Sequence, residues 1–272
     1  MSDSARSVPD WVASLADRAR VADGAPPFSD QAIVDFRMGS RQLTAVDEVA
    51  AALVSQAEAE FVVDPDARGL RIGTALLETL LAAEDAPRLF WAHGDHPAAR
   101  ALAASHGLTA VRELLHLSRE LDGQSFSTSD RRLTAFRRGT DEDEWVSLNA
   151  LIFAAHPEQG AVTRADLLQL ESEEWFAADD FLLLRDDAGS LIGYCWLKIE
   201  GDRGEFYVVG VHPEHQGEKL GSLLFDGGLS HLAGRGIRTA HLYVEGDNAP
   251  ALRLYSSRGF DRDSIDIQYS VV

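Results

Sequence analysis

Residues 208–221, VVGVHPEHQGEKLG, read as a strand that leads directly into the first turn of a helix. Valine favours strands, and the strand must end near Pro213, because proline cannot donate to a strand ladder. Gly210 lies inside the strand, where glycine often marks a bulge, so we expect a loosened ladder and a free backbone N–H there. The helix that follows is apolar from Leu220 to Leu229, and the unpaired N–H groups of its first turn could bind phosphate. An ordinary strand, turn and helix without a ligand is the alternative for this stretch alone.

The first half of the chain contains a second copy of this plan. Residues 61–81 read FVVDPDARGLRIGTALLETLL. The matching residues are Val63, Pro65, Arg68 and Gly73 in this copy and Val211, Pro213, Gln216 and Gly221 in the other. Further blocks follow in the same order, GDHPAARALAASHGL at 94–108 and GDNAPALRLYSSRGF at 246–260. Such internal repetition indicates two similar domains, which we predict at residues 1–125 and 132–272. The polar stretch DGQSFSTSDRR, residues 122–132, has the composition of a linker.

Each half alternates strand patterns with helix patterns. The second half predicts strands at 134–139, 181–185, 191–200, 204–211, 241–245 and 264–272, and helices at 141–156, 166–174, 220–234 and 249–258. The first half follows this plan less completely, and residues 41–54 are expected to supply its early strands. Strands joined partly by hairpins and partly by helices predict a mixed α/β fold.

Composition excludes several kinds of partner. The chain has 272 residues, 45% of them hydrophobic, and a formal net charge of -19. Such acidity argues against nucleic acid and anionic membranes, since both require a basic face. No apolar run approaches the roughly 20 residues of a membrane helix, and the N-terminus lacks a signal-peptide pattern, so we expect a cytoplasmic protein. Cys195 is the single cysteine and is expected to be buried, and the nine histidines show no metal-ligand spacing, so no metal is predicted.

The strand–turn–helix stretch resembles a known cofactor motif. Gln216 and Gly221 match the Gln/Arg-x-x-Gly-x-Gly/Ala motif with which the GCN5-related N-acetyltransferases bind acetyl-CoA, but Lys219 stands at the first glycine. The runs NALIFAAHPEQG (149–160), YCWLKIE (194–200), GEFYVVGV (204–211) and LYVEGDNAPALRLYSSRGF (242–260) resemble the mycothiol synthase family, a tandem branch of that superfamily. The resemblance spans most of the chain and is densest after Arg132. It implies two tandem domains, each with a mostly antiparallel sheet flanked by helices, and a first domain without catalytic activity.

Acetyl-CoA is the cosubstrate that this resemblance implies. The predicted contacts of the second half are Val209, Gly210, Val211, Gln216, Gly217, Glu218, Lys219, Leu220, Gly221, Ser222, Asn248 and Arg253. The corresponding contacts of the first half are Val62, Val63, Arg68, Gly69, Arg71 and Gly73. For Asn248, capping of the helix that follows it is the alternative role, and it is favoured over contact with the pantetheine arm.

The implied reaction needs a base, because an α-amine with a pKa of about 7.7 to 8 is mostly protonated at neutral pH. Glu205 matches the family's general base, and a solvated strand-end carboxylate is the alternative. Tyr255 matches the general acid, and its ring could also pack on a helix face. The repeat puts Ala57 and Ala103 at these two positions of the first half, where neither can move a proton. Glu58 and Glu60 lie near Ala57, but strand alternation puts them on the other face, which we expect to be solvated.

The family resemblance further implies a small thiol-bearing sugar amine as acceptor, the cysteinyl amine of desacetylmycothiol. Glu205, Asp30, Glu158, Lys198 and Tyr243 are its expected contacts, since polyols need charged or polar hydrogen-bonding groups. His156, in the same HPEQG run as Glu158, is expected to be structural. The alternatives are acetylation of another small amine or a peptide N-terminus, and a binding protein for acyl-CoA without turnover. We expect a monomer with no nucleic-acid or membrane partner.

Overall fold

The computed structural model describes residues 6–121, 132–154 and 159–271. The chain folds into two compact units. The first contains Met1–His116, Val244–Ala249 and Arg262–Val272, and the second contains Leu117–Tyr243 and Pro250–Asp261. The predicted linker lies outside the described residues except for Arg132.

The first half of the chain supplies helices and strands in alternation. They are α1 (Asp10–Asp23), α2 (Asp30–Met38), β1 (Gln42–Val46), β2 (Ala50–Val54), β3 (Glu58–Val63), α3 (Ile72–Leu81), β4 (Leu89–Ala92), α4 (Pro97–Ser105) and β5 (Thr109–Glu120). Local signals account for several boundaries: Ser29 caps α2 by accepting from the Ala32 N–H at 3.1 Å, and Gly24 ends α1 in the left-handed conformation.

The second half repeats this order after one additional strand of three residues. It forms β6 (Leu133–Ala135), α5 (Glu142–Ile152), α6 (Arg164–Leu170), β7 (Phe181–Arg185), β8 (Leu191–Glu200), β9 (Arg203–Val211), α7 (Leu220–Gly234), β10 (Thr239–Glu245), α8 (Ala249–Ser256) and β11 (Asp261–Ser270). Short 3-10 turns, Pro65–Ala67 and Pro213–His215, separate β3 from α3 and β9 from α7. The repeat predicted from the sequence is therefore confirmed in the local structure of both copies.

Each unit contains a mixed, mostly antiparallel sheet. In the first unit the strand order is β1-β2-β3-β4-β11, with β5 beside β11, and in the second it is β10-β9-β8-β7-β6. The parallel pairs are β3 with β4 and β9 with β10. The terminal strand β11 pairs antiparallel with β4, from Ile267 opposite Ala92 to Ser270 opposite Leu89. The final strand of the second half thus completes the sheet of the first unit, although the sequence repeat places it in the second half.

Aromatic side chains fill the core of the second unit. Trp145 of α5 packs edge-on against Trp196 of β8, with ring centroids 5.6 Å apart, and Phe181 stacks on Trp196 at 4.4 Å. Cys195 is fully buried on β8, and this burial raises the pKa of its thiol, so the expected structural cysteine is confirmed. Among the helices that the structure describes, none combines the length and apolar character needed to cross a membrane.

A buried ionic network lies in the first unit and contradicts one sequence-based expectation. Glu60 is 1% exposed, and its carboxylate accepts from the Ser29 N–H at 2.6 Å and contacts His93 Nε2 at 3.2 Å. Glu58 accepts from the indole N–H of Trp91 at 3.0 Å. The prediction that Glu58 and Glu60 lie on a solvated strand face is therefore wrong, because partners distant in sequence cover that face.

His93 links this network to the terminal strand. Its Nδ1 lies 3.1 Å from the Asp266 carboxylate of β11, and its Nε2 contacts Glu60. Burial alone would lower the pKa of His93, but hydrogen bonds to Asp266 and Glu60 outweigh burial and raise the pKa to about 9. His93 is therefore charged at neutral pH and anchors β11 to the first unit.

This anchor predicts a loss of stability at alkaline pH. A histidine whose pKa is raised by folding stabilises fully below its unfolded pKa of about 6.5, and its stabilisation is lost as pH rises through about 9. The contribution is on the order of 3 kcal/mol. We expect the melting temperature of the first unit to fall between pH 7 and pH 10, and His93→Gln to flatten this dependence. His96→Gln, which changes a more exposed ring, should keep the slope; equal slopes for His93→Gln and the unaltered protein would contradict the assignment.

Candidate functional site

The second unit contains an open strand edge. The parallel register of β9 with β10 runs from Arg203 opposite Thr239 to Glu205 opposite His241 and ends there. On its other side, β9 remains paired with β8 as far as Val211 opposite Gly193. Among the described residues, no strand pairs with the other edge of β9 after Glu205, so this edge can accept an extended ligand.

The direction of the backbone hydrogen bonds shows which N–H and C=O groups point to this edge. The His212 N–H donates to the Ile192 carbonyl of β8 at 2.9 Å. Successive residues of a strand direct their backbone groups to opposite edges, so the groups of Val209 and Val211 point toward the open side. This arrangement supports the sequence-based selection of Val209 and Val211 as backbone contacts.

The bulge lies elsewhere on β9 than the sequence predicted. Trp196 of β8 faces Val208 and the next residue, Leu197, faces Phe206, so Tyr207 is the extra residue. Gly210 is in regular register opposite Tyr194, and the predicted bulge at Gly210 is therefore wrong. Packing explains the glycine, since a Cβ at position 210 would lie 2.9 Å from Ile152 Cδ1 and 3.1 Å from the Tyr194 ring.

A backbone cradle follows β9. Gly217 has a φ of 88°, and a Cβ at that position would meet nothing within 4 Å. Lys219, the residue that precedes α7, has a φ of 62°. A Cβ at Gly221 would meet only Val211 Cγ2, at 3.9 Å. At Gly217 and Gly221 no side chain covers the backbone near the start of α7, so the N–H groups of the first helical turn can approach a phosphate. Lys219 adopts a left-handed conformation at a position where the family motif has glycine. This conformation costs a non-glycine residue about 1 kcal/mol, which explains why glycine is usual there.

Side chains that can act on a ligand form a row across three strands. Lys198 of β8 and His241 of β10 are both register partners of Glu205 on β9. Cross-strand partners project from the same face, so the three side chains are neighbours. Tyr243 follows His241 by two residues on β10 and is 50% exposed. Sequence reasoning singled out Glu205, Lys198 and Tyr243 but missed His241, for which the signal was the parallel register of β9 and β10.

Tyr255 lies on the other side of the sheet. Phe206 stacks on Phe225 of α7 at 4.1 Å, and the Tyr255 ring contacts Phe225 at 4.9 Å and Phe260 at 6.3 Å. Burial raises the pKa of Tyr255 to about 12, with the buried thiol of Cys195 adding to the shift. The phenol is therefore fully protonated at neutral pH and can only donate its proton. Glu205 and Tyr255 flank β9 from opposite faces.

The remaining residues predicted to contact the ligands differ in exposure and in the unit to which they belong. Gln216, Gly217, Glu218 and Arg253 are exposed, whereas Leu220 is buried and offers only its backbone. Ser222 is partly buried in the first turn of α7. Asn248 directly precedes α8 and belongs to the residues that group with the first unit, and Asp30 begins α2 in that unit. Glu158 and His156 lie outside the described residues.

The first unit retains the same backbone plan. The parallel register of β3 with β4 ends at Glu60 opposite Trp91, and Gly69 and Arg71 have φ values of 78° and 64°. A cavity of about 430 Å³ opens there, and its walls include Val62, Val63, Arg68, Gly69, Arg71 and Gly73. Within the described part of the chain, no group of three or more His, Cys, Asp or Glu side chains could hold a metal ion.

Arg68, one of the arginines that line this cavity, already has a partner from the same unit. Arg68 donates to both carboxylate oxygens of Asp23, at 2.6 and 2.8 Å. The hydrogen bonds from Arg68 hold the pKa of Asp23 below its ordinary value. A carboxylate of the chain therefore lies against Arg68, which is the residue equivalent to Gln216 in the second unit.

Comparison with known sequences gives a consistent result. The model of the acetyltransferase (GNAT) family matches residues 145–260. The mycothiol acetyltransferase of Kocuria rhizophila is 41% identical to this chain, over 96% of this chain and 95% of its own length. That of Clavibacter sepedonicus is 43% identical, over 95% of this chain and 90% of its own length.

Solved structures share the fold. A GCN5-related N-acetyltransferase from Sphaerobacter thermophilus superposes with a TM-score of 0.74, at 21% identity over 97% of this chain and 96% of that one. A tandem GNAT protein from the clavulanic acid biosynthesis pathway superposes with a TM-score of 0.68, at 18% identity over 96% and 94%. At these identities the likeness concerns the fold alone, and it agrees with the tandem arrangement.

Replacement of Lys219, which has a left-handed backbone conformation, tests whether the start of α7 binds the pyrophosphate. Lys219→Gly keeps the backbone conformation and removes one cation beside a bound pyrophosphate. We expect the KM for acetyl-CoA to rise about two- to fivefold at low salt and the difference to shrink at high salt, because an exposed charge is screened. Arg71→Gly makes the matched change in the first unit and should leave the KM unaltered. A lower KM for Lys219→Gly would show instead that the lysine side chain obstructs the cradle.

Proposed function

We propose a function for this chain from the premise that it belongs to the acetyltransferase (GNAT) family, within the branch of the mycothiol acetyltransferases. The protein is an acetyl-CoA-dependent N-acetyltransferase. It transfers the acetyl group of acetyl-CoA to the cysteinyl amine of desacetylmycothiol, a cysteinyl-glucosaminyl-inositol, and forms mycothiol. The observation that carries the proposal is the open edge of β9. This edge runs from Glu205 and its cross-strand neighbours to the start of α7.

The second unit has the features that acetyl-CoA requires. The open-edge groups of Val209 and Val211 would hold the pantetheine arm as an added strand, and the start of α7 from Gln216 to Ser222 would hold the pyrophosphate. When bound, acetyl-CoA supplies the thioester carbonyl that the amine attacks. Because the bulge lies at Tyr207 and not at Gly210, we assign the oxyanion contact to the Val209 N–H, which points to the open edge.

Glu205 is proposed as the general base. It is partly buried at the point where β9 and β10 separate, with Lys198 and His241 as its cross-strand neighbours. From this position its carboxylate can take the proton of the acceptor ammonium, directly or through one water. The amine then becomes nucleophilic at a pH where it would otherwise be protonated.

Tyr255 is proposed as the general acid. Its raised pKa keeps the hydroxyl protonated across the physiological range, so it can donate to the sulfur as the thiolate departs. Its ring is held by Phe225 and Phe260, and packing and catalysis are therefore compatible roles. A protein that merely bound acyl-CoA would need neither this acid nor the base, which disfavours the non-catalytic alternative.

The acceptor is a small-molecule amine. Lys198 and Tyr243 are proposed to bind its hydroxyl groups from the strands beside Glu205, and Asp30 and Glu158 remain proposed contacts from the sequence resemblance. Acetylation of another small amine or of a peptide N-terminus is the alternative activity for the same base and acid. A monomeric, cytoplasmic protein is proposed on the sequence features alone.

For the first unit we propose a non-catalytic role. Its cavity keeps the cofactor-like backbone, but Ala57 and Ala103 occupy the positions of the base and the acid. Arg68 must also release Asp23 before it can bind a phosphate. The proposed contacts Val62, Val63, Gly69 and Gly73 would then act through the backbone.

Replacement of the base tests the mechanism. Glu205→Gln keeps the shape of the side chain and should lower turnover about 100- to 10,000-fold at neutral pH, with the affinity for acetyl-CoA unchanged. The loss should narrow at high pH, where the free amine is abundant. Glu84→Gln, an exposed glutamate of the first unit, serves as control. Turnover like that of the unaltered protein in Glu205→Gln would remove Glu205 from the base assignment.

A double variant tests the division of labour between the units. In Glu205→Gln with Tyr255→Phe, both proton-transfer groups of the second unit are absent. We expect turnover to be lost while calorimetric titration still detects coenzyme A binding, which also shows that the variant is folded. Substantial residual turnover would mean that the first unit is an enzyme after all.

A further inference from the structure

An aromatic side chain outside the residues assigned so far lies beside the base. Trp175 belongs to the segment between α6 and β7, and its ring is 5.3 Å from that of Tyr207, the bulged residue of β9. The Lys198 ammonium lies 5.4 Å from the centroid of the Trp175 ring, within cation–π range. Trp175 therefore contacts Tyr207, on the strand that carries Glu205, and Lys198, on the neighbouring strand β8.

Strand alternation explains why these side chains share one face. Glu205 and Tyr207 are two residues apart on β9, and Glu205 is the register partner of Lys198. The Tyr207 ring also packs against Trp196, which lies on the same face of β8 as Lys198. Burial raises the pKa of Tyr207, and the nearby charge of Glu205 raises it further. The acceptor must approach on this face, since its amine has to reach the Glu205 carboxylate.

Trp175 is held in place before any ligand binds. The adjoining Phe176 is 8% exposed in the aromatic core, and its N–H donates to the Glu173 carbonyl at 3.1 Å. The Glu173 N–H in turn donates to the Leu170 carbonyl at the end of α6, also at 3.1 Å. Trp175 itself is only partly buried against this core, so part of the indole remains available to a ligand. A rigid, partly exposed aromatic ring is a typical feature of a preorganised binding site.

We propose that Trp175 is a specificity residue of the acceptor pocket, where its indole packs against the C–H face of the acceptor's sugar ring. The proposal rests on the function proposed above and deepens it, because it assigns recognition of a pyranose ring to a particular side chain. A pyranose presents hydroxyl groups at its rim and C–H groups on its face. Lys198 binds at the rim while Trp175 covers the face, and the cation–π contact fixes the relative position of the two. A peptide N-terminus offers no such ring, so this contact favours the sugar acceptor.

The test compares two acceptors that carry the same amine. Cysteinyl-glucosaminyl-inositol contains the sugar, and cysteinamide lacks it. For Trp175→Ala we expect the KM for the sugar acceptor to rise about tenfold, while kcat/KM for cysteinamide stays within about twofold of the unaltered protein. Trp175→Phe keeps an aromatic face, so its KM for the sugar acceptor should lie between those of the unaltered protein and Trp175→Ala. Trp11→Ala, which removes a partly buried tryptophan from α1, should change neither acceptor's kinetics.

Each outcome decides the question. An equal loss with both acceptors would mean that Trp175 only supports the core, and no loss with either would mean that it does not contact the sugar; both overturn the proposal. If cysteinamide turnover is too slow to measure, calorimetric titration of both acceptors into Glu205→Gln and into Glu205→Gln with Trp175→Ala gives the same comparison as ratios of Kd values. Unaltered protein that acetylates cysteinamide but never the sugar acceptor would instead contradict the proposed function.

Discussion

The separation of two parallel strands is the constraint on which the site depends. β9 and β10 pair only as far as Glu205 and His241, and beyond that point no strand that the structure describes pairs with this edge of β9. Backbone groups at such an edge require a partner, and an extended ligand arm can supply it. Because the same strand continues into a turn and the start of α7, one continuous path connects Glu205, the proposed base, to the proposed phosphate site.

The two copies of this path differ in chemistry more than in geometry. Lys219 and Arg71 both adopt the left-handed conformation that the family motif reserves for glycine, so each copy keeps the backbone of the cradle despite a bulky side chain. The first copy has alanine in place of the base and acid, and Asp23 neutralises its arginine. The repeated backbone is therefore retained, while the groups proposed for proton transfer belong to the second copy.

Local sequence signals predicted the parts of the fold that depend on neighbouring residues. The start and end of α7, the repeat of strand, turn and helix, and the buried Cys195 all followed from patterns within short windows. The failures share a physical cause, which is that the deciding contact is distant in sequence. Gly210 is required by Ile152 and Tyr194 and not by a bulge, and Glu60 is buried because Ser29 and His93, both distant in sequence, contact its carboxylate. His241 lies opposite Glu205 through strand register, and Trp175 contacts Lys198 and Tyr207 through loop packing, neither of which a single sequence reveals.

The central claim is the identity of the acceptor, and its most direct measurement is the release of coenzyme A from acetyl-CoA by the unaltered protein across a set of primary amines. The set contains cysteinyl-glucosaminyl-inositol, glucosaminyl-inositol, small polyamines and peptides with free N-termini, and mass spectrometry identifies each product. We expect release with cysteinyl-glucosaminyl-inositol to exceed that with every other amine, with one acetyl group added to the cysteinyl nitrogen. Release with another amine and none with cysteinyl-glucosaminyl-inositol would contradict the account.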